Sequence, residues 1–186
     1  MKTLLITALS LITLTAFAQK DTVGLKIPYT DGAVLYEKVF ETPGIPKAAL
    51  LNNSHVWFIQ CQKGDDDIQL LDTSLFKIVG KGSEPLSFKG PLNVTVPMVA
   101  RTTIQIDCKD NKYRCRIYNI TLDNADTSAI NRFETTPEQL VATLTGNGTG
   151  SGLNKNQARR LLESLNATIN NTMAAMYKTI GDKNDF

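Results

Sequence analysis

Hydrophobic and polar residues alternate most regularly between residues 102 and 118. The runs Thr102-Thr-Ile-Gln-Ile-Asp-Cys108 and Tyr113-Arg-Cys-Arg-Ile-Tyr118 repeat with a period of two, which is typical of strands with one face exposed to water. Asp110-Asn111 lies between them and suits a two-residue type I′ turn. The segment is therefore predicted to be a β-hairpin.

The position of this turn predicts which residues of the hairpin lie opposite each other. On the face expected to be buried, the pairs are Ile104 with Ile117, Ile106 with Cys115, and Cys108 with Tyr113. On the other face, they are Thr103 with Tyr118, Gln105 with Arg116, and Asp107 with Arg114. The last pair joins opposite charges across the strands, and both faces agree with one register, which favours this pairing.

The residues before the hairpin predict further strands and a helix. Residues 33–42 are rich in β-branched and aromatic side chains and predict a strand. Residues 47–60 predict a helix by their length and composition. The residues on its apolar face are Leu50, Trp57, Phe58 and Cys61. A short apolar run then precedes an antiparallel strand at residues 75–79, which is expected to end near Gly80 and Gly82.

The segment after the hairpin is a long polar connection at residues 123–152. It is rich in Asn, Asp, Thr and Ser, and its end, Gly146-Asn-Gly-Thr-Gly-Ser-Gly152, is expected to be a flexible spacer. Within it, Thr136-Pro-Glu-Gln139 is a capping box with proline at the first helical position. A short helix is therefore predicted at residues 137–144.

A long helix is predicted for residues 155–180, capped by Asn154 and ended at Gly181. Its apolar stripe, at spacings of three and four, consists of Ala158, Leu161, Leu162, Leu165, Ile169, Met173, Met176 and Ile180. The order of elements is thus strand, helix, four strands, helix. This order predicts an α+β fold, in which an antiparallel sheet has one solvated face and helices packed on the other.

The first 18 residues are patterned differently from the rest. Lys2 precedes an apolar stretch at residues 4–14, and Ala16-Phe-Ala18 is an A-x-A cleavage site before Gln19. The stretch is shorter than the roughly 20 residues that a membrane-spanning helix needs, which favours a cleaved signal peptide over a membrane anchor. Residues 1–18 are therefore predicted to be removed, and the protein is expected to be exported, either periplasmic or secreted.

The composition is that of an ordinary globular domain. The chain has 20 Lys and Arg against 18 Asp and Glu in 186 residues, which argues against a nucleic-acid polycation and against an acidic tail. Its length suggests one domain. After the signal peptide, residues 19–122 are expected to form the sheet and first helix, residues 123–152 the linker with its short helix, and residues 153–186 the long helix that completes the domain.

Several segments together resemble a known family. They are Ile27-Pro-Tyr-Thr-Asp-Gly-Ala-Val-Leu-Tyr-Glu-Lys-Val-Phe-Glu41, the sequence Pro43-Gly-Ile-Pro-Lys47 that leads into a helix with Trp57, the strand Ile78-Val-Gly-Lys-Gly82, and the hairpin sequence Cys108-Lys-Asp-Asn-Lys-Tyr-Arg114. In these residues the chain resembles domain-of-unknown-function family 4468, a family of exported bacterial proteins with a TATA-binding-protein-like (TBP-like) fold. The resemblance covers residues 27–122 and implies a TBP-like fold in a cell-envelope setting. It implies no catalytic or ligand residues, and a fold shared with a DNA-binding protein does not imply DNA binding.

Candidate catalytic and metal-binding residues are few. His55 is the single histidine and follows Ser54, but adjacent helical residues point about 100° apart, whereas a hydrolytic triad requires convergence. Asp65-Asp-Asp67 lacks the ligand spacing of a calcium loop. The glycine spacer before Lys155 lacks the Gly-Lys-Ser/Thr of a phosphate loop. No metal and no cofactor are therefore expected.

The cysteines leave two alternatives open. In the predicted register Cys108 and Cys115 are diagonal neighbours on the buried face, which is a long distance for a disulfide. A shift of the turn to Asn111-Lys112 would place them directly opposite, and export permits oxidation. Either a Cys108–Cys115 disulfide or two buried thiols is compatible with the sequence, and Cys61 is unpaired in both.

Two surfaces are candidate docking sites. The solvated hairpin face combines cations with an aromatic residue, which suits a carboxylate or sugar-like partner, although an ordinary solvated face has the same composition. Its residues are Arg101, Gln105, Arg114, Arg116 and Tyr118.

The second surface follows from the length of the last helix. A helix of about 26 residues is roughly 39 Å long, whereas five strands side by side span roughly 24 Å. Its end would overhang the sheet and expose an apolar patch, a feature of interaction sites that would permit a homo-oligomer. The patch would consist of Met173, Met176, Tyr177 and Ile180. In the alternative, the connection at residues 123–152 folds beneath the helix and covers it.

These observations favour an exported, non-enzymatic binding or assembly module of the cell envelope. Its partner would be a protein or another envelope component, with no nucleic acid and no transmembrane segment in the mature chain. Two alternatives remain: a small envelope hydrolase that uses His55, and a lipid or small-molecule carrier with an apolar cavity between helices and sheet.

Overall fold

A computed structural model describes residues 24–61, 67–125, 133–147 and 151–181 of the chain. The predicted signal peptide at residues 1–18 lies outside this part of the chain, as do Asp65 and Asp66. The strands are β1 (Tyr29–Thr30), β2 (Ala33–Val34), β3 (Tyr36–Glu41), β4 (Ile68–Asp72), β5 (Lys77–Lys89), β6 (Thr95–Lys109), β7 (Lys112–Asn124) and β8 (Glu134–Thr135). The helices are α1 (Lys47–Cys61), α2 (Pro137–Thr145) and α3 (Lys155–Ile180).

The main sheet is antiparallel, with the strand order β3-β7-β6-β5-β4 and with β8 added to the far end of β7. Helices α1 and α3 lie on the same face of it, because Ser54 of α1 lies 4.0 Å from Cys108 on β6 and Met176 of α3 lies 3.5 Å from Cys115 on β7. The core forms between these helices and the sheet, and α2 packs against α3 through the buried residues Leu140, Val141 and Leu144. The predicted α+β class is confirmed.

Both predicted helix caps are present. Thr136 accepts from the backbone of Gln139 and begins α2, and Asn154 accepts from the backbone of Gln157 and begins α3. Each glutamine side chain accepts in return from the backbone N–H of its cap residue, so both helices begin with complete capping boxes. The predicted bounds of the long helix, residues 155–180, are confirmed.

The hairpin of β6 and β7 has the predicted register, with Ile106 opposite Cys115 and Asp107 opposite Arg114. The turn itself differs from the prediction. Asn111 has a φ of 67° whereas Asp110 has a negative φ. A type I′ turn needs positive φ at both central residues, so that assignment was wrong although its position was right.

A β-bulge at Asn119 changes which side chains of β7 are buried. Asn119 has a φ of 51°, and the pairing between β6 and β7 shifts between Arg101 and Thr103. Before the bulge Tyr113, Cys115 and Ile117 of β7 are buried, and after it the buried apolar residues are Ile120 and Leu122. One extra residue therefore keeps the apolar face of a 13-residue strand on the core side.

Strand β5 continues through the glycines that were expected to end it. At Gly80 an added Cβ would lie 2.5 Å from the ring of Phe58, and at Gly82 it would lie 2.5 Å from the hydroxyl of Thr102. Both glycines are buried. They allow the side chains of α1 and β6 to approach the backbone of β5 and do not interrupt the strand, a recognised role of glycine within sheets.

The prediction of an overhanging last helix was wrong. Met173, Met176 and Ile180 are at most 3% exposed, and of the predicted patch only Tyr177 is accessible, at 46%. The prediction placed the helix across the strands, but α3 runs along them, because Arg160 near its start donates to the carbonyl of Lys89 at one end of β5 and Met176 near its end lies against Cys115 near the hairpin turn. Strands β5, β6 and β7 have 13, 15 and 13 residues and are about 40 Å long or longer, which matches the length of the helix. The C-terminal end of α3 is also bonded to α1, because the Asn53 amide donates to the carbonyl of Ile180 at 3.1 Å.

Candidate functional site on the outer face of the sheet

The outer face, the side of the sheet away from the helices, carries the polar residues that alternate with the core residues. The register of β6 and β7 places Gln105 directly opposite Arg116, and Thr103 opposite Tyr118. Arg114 and Asp107 form the next pair toward the turn. Four of the five residues predicted for a binding face are therefore brought together: Gln105, Arg114, Arg116 and Tyr118.

Asp107 is the centre of this group. Its Oδ2 accepts from Nη2 of Arg114 at 3.1 Å and from Nη2 of Arg116 at 3.3 Å. The amide of Gln105 donates to both of its oxygens at 3.0 Å, and Nζ of Lys77 on β5 lies 3.7 Å from Oδ1. One carboxylate is thus shared by three cations and an amide.

Glu37 on the neighbouring strand β3 partly balances these charges. Its Oε2 lies 3.3 Å from Nε of Arg116 and 3.9 Å from Nη1 of Arg114. The Nε contact lacks the alignment of a hydrogen bond, and this nitrogen is buried without a hydrogen-bond partner among the described residues. The group therefore contains three cations against two carboxylates, and Arg116 is not fully satisfied within it.

Arg101 does not join this group. It lies beyond the bulge and its Nε donates to Asp123 of β7. The sequence-based prediction thus included one arginine that belongs to a separate ion pair. It missed Glu37 and Lys77, which reach the site only because β3 and β5 flank the hairpin, an arrangement that the local alternation does not reveal.

A cleft of about 700 Å³ opens beside this group. Its floor includes Gln105, Arg116 and Tyr118, and its walls come from β2 and from the start of α2. The two walls are tied together, because Oε1 of Glu138 accepts from the backbone N–H of Val34 at 2.8 Å. Segments that are 104 residues apart in sequence therefore meet at the cleft, and no local pattern could have predicted it.

The three cysteines are free thiols, so the Cys108–Cys115 disulfide is absent and the alternative of two buried thiols holds. Cys108 lies opposite Tyr113 and Cys115 opposite Ile106, which leaves the two thiols diagonal. Burial raises the pKa of Cys108 to about 11 and that of Cys115 to about 12. Cys61, predicted on the buried face of α1, is exposed at the end of that helix.

We expect one thiol of the three to react with a disulfide reagent such as Ellman's reagent in the native protein at pH 8. Cys61 is exposed, whereas Cys108 and Cys115 are buried and their raised pKa values suppress the reactive thiolate. The native thiol count should fall to none in Cys61→Ser, and denaturant should release the two buried thiols. A native count of one that Cys61→Ser leaves unchanged would contradict this assignment.

His55 and Ser54 do not form a catalytic pair. Ser54 is buried, and its hydroxyl donates to the carbonyl of Leu50 at 2.7 Å. His55 is partly exposed and lines a separate groove of about 250 Å³ between α1 and β4, with Leu51 and Phe76. The convergence that a hydrolytic triad requires is not found between these two residues.

Within the described ranges, no three His, Cys, Asp or Glu side chains cluster as a metal site would require. The same residues include no helix with the length and hydropathy to span a membrane. Asp67 is the one member of the Asp65–67 run that the structure describes.

Comparison with known proteins confirms the family resemblance. The model of the domain of unknown function DUF4468, with a TBP-like fold, matches residues 36–123. A crystal structure of a DUF4468 family protein from Bacteroides ovatus is similar with a TM-score of 0.65 and 16% identity, covering 90% of this chain and 99% of that one. A TBP-like protein from Parabacteroides distasonis has a TM-score of 0.67 and 16% identity, covering 84% and 97%. Among curated proteins, none matches this chain.

Proposed function

We propose that this chain, whose residues 36–123 match the model of the DUF4468 family with its TBP-like fold, is an exported, non-enzymatic binding module of the bacterial cell envelope. Its partner is anionic and is bound by the outer face of the sheet. The observation that carries this proposal is the excess of cations around Asp107, next to the largest cleft described above.

The geometry of the ion pairs supports an anionic partner. Charge-assisted N–H···O bonds are typically about 2.7–2.9 Å long, whereas those from Arg114 and Arg116 to Asp107 are 3.1 and 3.3 Å. Each cation shares its acceptor and is incompletely neutralised. The side chains of Arg114 and Arg116 remain 40% and 29% exposed, so an incoming carboxylate can reach them.

The same face is poorly suited to nucleic acid. A duplex presents one negative charge per about 1.7 Å, and its binding requires many uncompensated cations. Here Glu37, Asp107 and Asp123 alternate with the arginines across the face. The proposed partner therefore carries isolated negative charges and not a continuous phosphate backbone.

The non-enzymatic part of the proposal is supported by the different surroundings of Ser54 and His55. The Ser54 hydroxyl is buried and donates to the carbonyl of Leu50, whereas His55 is partly exposed in a separate groove. The carrier alternative needs an apolar cavity between helices and sheet, but that layer contains fully buried side chains of both, including Leu162, Leu165 and Ile104. Export is supported by the A-x-A sequence before Gln19. The N-terminal residue of the protein recovered from a cell-envelope fraction tests it, with Gln19 as the expected first residue.

The binding proposal is tested by capture from an envelope extract on immobilised mature protein. We expect the native protein to retain protein or carbohydrate that the double variant Arg114→Gln/Arg116→Gln does not retain. Lys178→Gln, which removes an exposed cation from α3 in the helix layer, is the matched control and should behave as the native protein does. Equal retention by all three proteins would reject the outer face as the binding surface.

A further inference from the structure

We infer that the cleft beside Tyr118 binds an acidic carbohydrate, a chain of sugar rings that carry one carboxylate each. This inference rests on the proposed function and names the chemical class of ligand for the same surface. It is drawn from the three kinds of group that the cleft brings together: a guanidinium, an aromatic ring, and neutral hydrogen-bonding side chains.

The guanidinium of Arg116 supplies the contact for the carboxylate. Its Nη2 donates to Asp107 at 3.3 Å, and its Nε lies 3.3 Å from Oε2 of Glu37. These two carboxylates of the described chain thus contact two of the three guanidinium nitrogens. Both contacts are longer than typical charge-assisted bonds, which lowers the free energy needed to replace one of them. A ligand carboxylate can therefore exchange for Asp107 or bind alongside it.

The remainder of the cleft matches the body of a sugar. Tyr118 offers an aromatic surface to the C–H face of a ring, and sugar hydroxyls both donate and accept hydrogen bonds. The neutral polar side chains that line the cleft are Gln105, Asn119, Thr121 and Thr136. The volume of about 700 Å³ falls within the range of about 300–1,000 Å³ of sites for small ligands.

The charges at the cleft disfavour a phosphate ligand. Glu37 and Asp107 lie against Arg116, and Glu138 lines the wall formed by the start of α2. A phosphate monoester carries nearly two negative charges at neutral pH and would be repelled by these carboxylates more strongly than a single carboxylate would. A monoanionic ligand rich in hydroxyl groups fits this arrangement better.

Calorimetric titration of the full mature protein tests the inference, with tri-galacturonic acid as the acidic sugar, maltotriose as the neutral one and tri-glutamate as an acidic peptide. We expect binding of tri-galacturonic acid at least about tenfold tighter than that of the other two, a difference of about 1.4 kcal/mol. Arg116→Gln should weaken it about tenfold or more. Tyr118→Leu, which leaves the ion pairs intact, should weaken it several-fold.

The control variant is again Lys178→Gln, for which unchanged affinity is expected. Thermal unfolding of each variant checks that it is folded. The inference is overturned if tri-galacturonic acid does not bind, if maltotriose or tri-glutamate binds as tightly, or if both Arg116→Gln and Tyr118→Leu bind as the native protein does. If the titration fails but capture from the envelope extract still depends on Arg114 and Arg116, the acidic-carbohydrate inference is rejected and the proposed function is retained. If capture does not depend on these arginines, the inference and the proposed function are both rejected.

Discussion

A chain that ends at Gly152, and so lacks α3, is expected not to fold cooperatively. Helix α3 contributes seven large apolar side chains that are at most 3% exposed. Burial of each is worth about 1.5–3 kcal/mol, so their loss exceeds about 10 kcal/mol and is comparable with the whole stability of a typical domain, about 5–15 kcal/mol. The seven are Leu161, Leu162, Leu165, Ile169, Met173, Met176 and Ile180.

The residues that match the family model, 36–123, do not include this helix, so the prediction also concerns whether they form an independent domain. Far-UV circular dichroism and a thermal melt are the measurements. A synthetic peptide of residues 153–181, added in trans, should restore part of the signal because it carries the complete capping box and apolar stripe. A cooperative melt of the shortened chain near the native Tm, without the peptide, would show that the elements before α3 are sufficient for folding.

Local patterns in the sequence predicted the elements whose boundaries depend on nearby residues. The capping box at Thr136 and the cap residue Asn154 placed the starts of α2 and α3, because a cap side chain is in direct contact with the first turn of its helix. The alternation around the turn at Asp110 and Asn111 gave the register of β6 and β7, since a slip by one residue would bury the charged face. The apolar stripe of α3 identified its buried side, because residues three and four apart lie on the same face of a helix.

The predictions failed where a distant segment determines the outcome. Gly80 and Gly82 were read as strand ends because the packing of Phe58 and Thr102 against them depends on the tertiary fold. The exposure assigned to Met173, Met176 and Ile180 was wrong because the prediction placed the helix across the strands, whereas it runs along them. In hindsight, the change from Ile117 to Ile120 in the apolar period of β7 signalled the bulge at Asn119, since a period of two cannot include both.

In the candidate site, too, local alternation predicted some residues, whereas others come from distant parts of the chain. Gln105, Arg114, Arg116 and Tyr118 were placed on one face because they alternate with core residues on a single hairpin. Their role depends on partners from other elements: Glu37 on β3, Lys77 on β5 and Glu138 on α2. The sequence thus predicted the floor of the cleft, whereas its walls and the sharing of Asp107 required the strand order.

The protein is expected to lose stability steeply as the pH rises above about 9. Burial raises the pKa of Cys108 and Cys115 from 9.0 to about 11 and about 12, and burial also raises the pKa of Tyr36 and Tyr113 above the ordinary value of 10.0. Because the folded pKa exceeds the unfolded one, each group's contribution is fully present below the unfolded pKa and is lost as the pH approaches the folded pKa. Between the two values, each pH unit costs about 1.4 kcal/mol per group.

With both thiols ionising in the unfolded chain, the free energy of unfolding should fall by several kcal/mol between pH 9 and 11, which urea titrations at a series of pH values would measure. Tyr36→Phe and Tyr113→Phe provide matched variants, because both hydroxyls are buried without a hydrogen-bond partner among the described residues. Each should leave stability at pH 7 nearly unchanged and make the alkaline decline shallower above pH 10. Cys61→Ser, at an exposed thiol, should leave the curve close to native. A stability that is flat from pH 8 to 11 would mean that these groups are solvated in the folded protein, which is incompatible with a core formed by β6, β7 and α3.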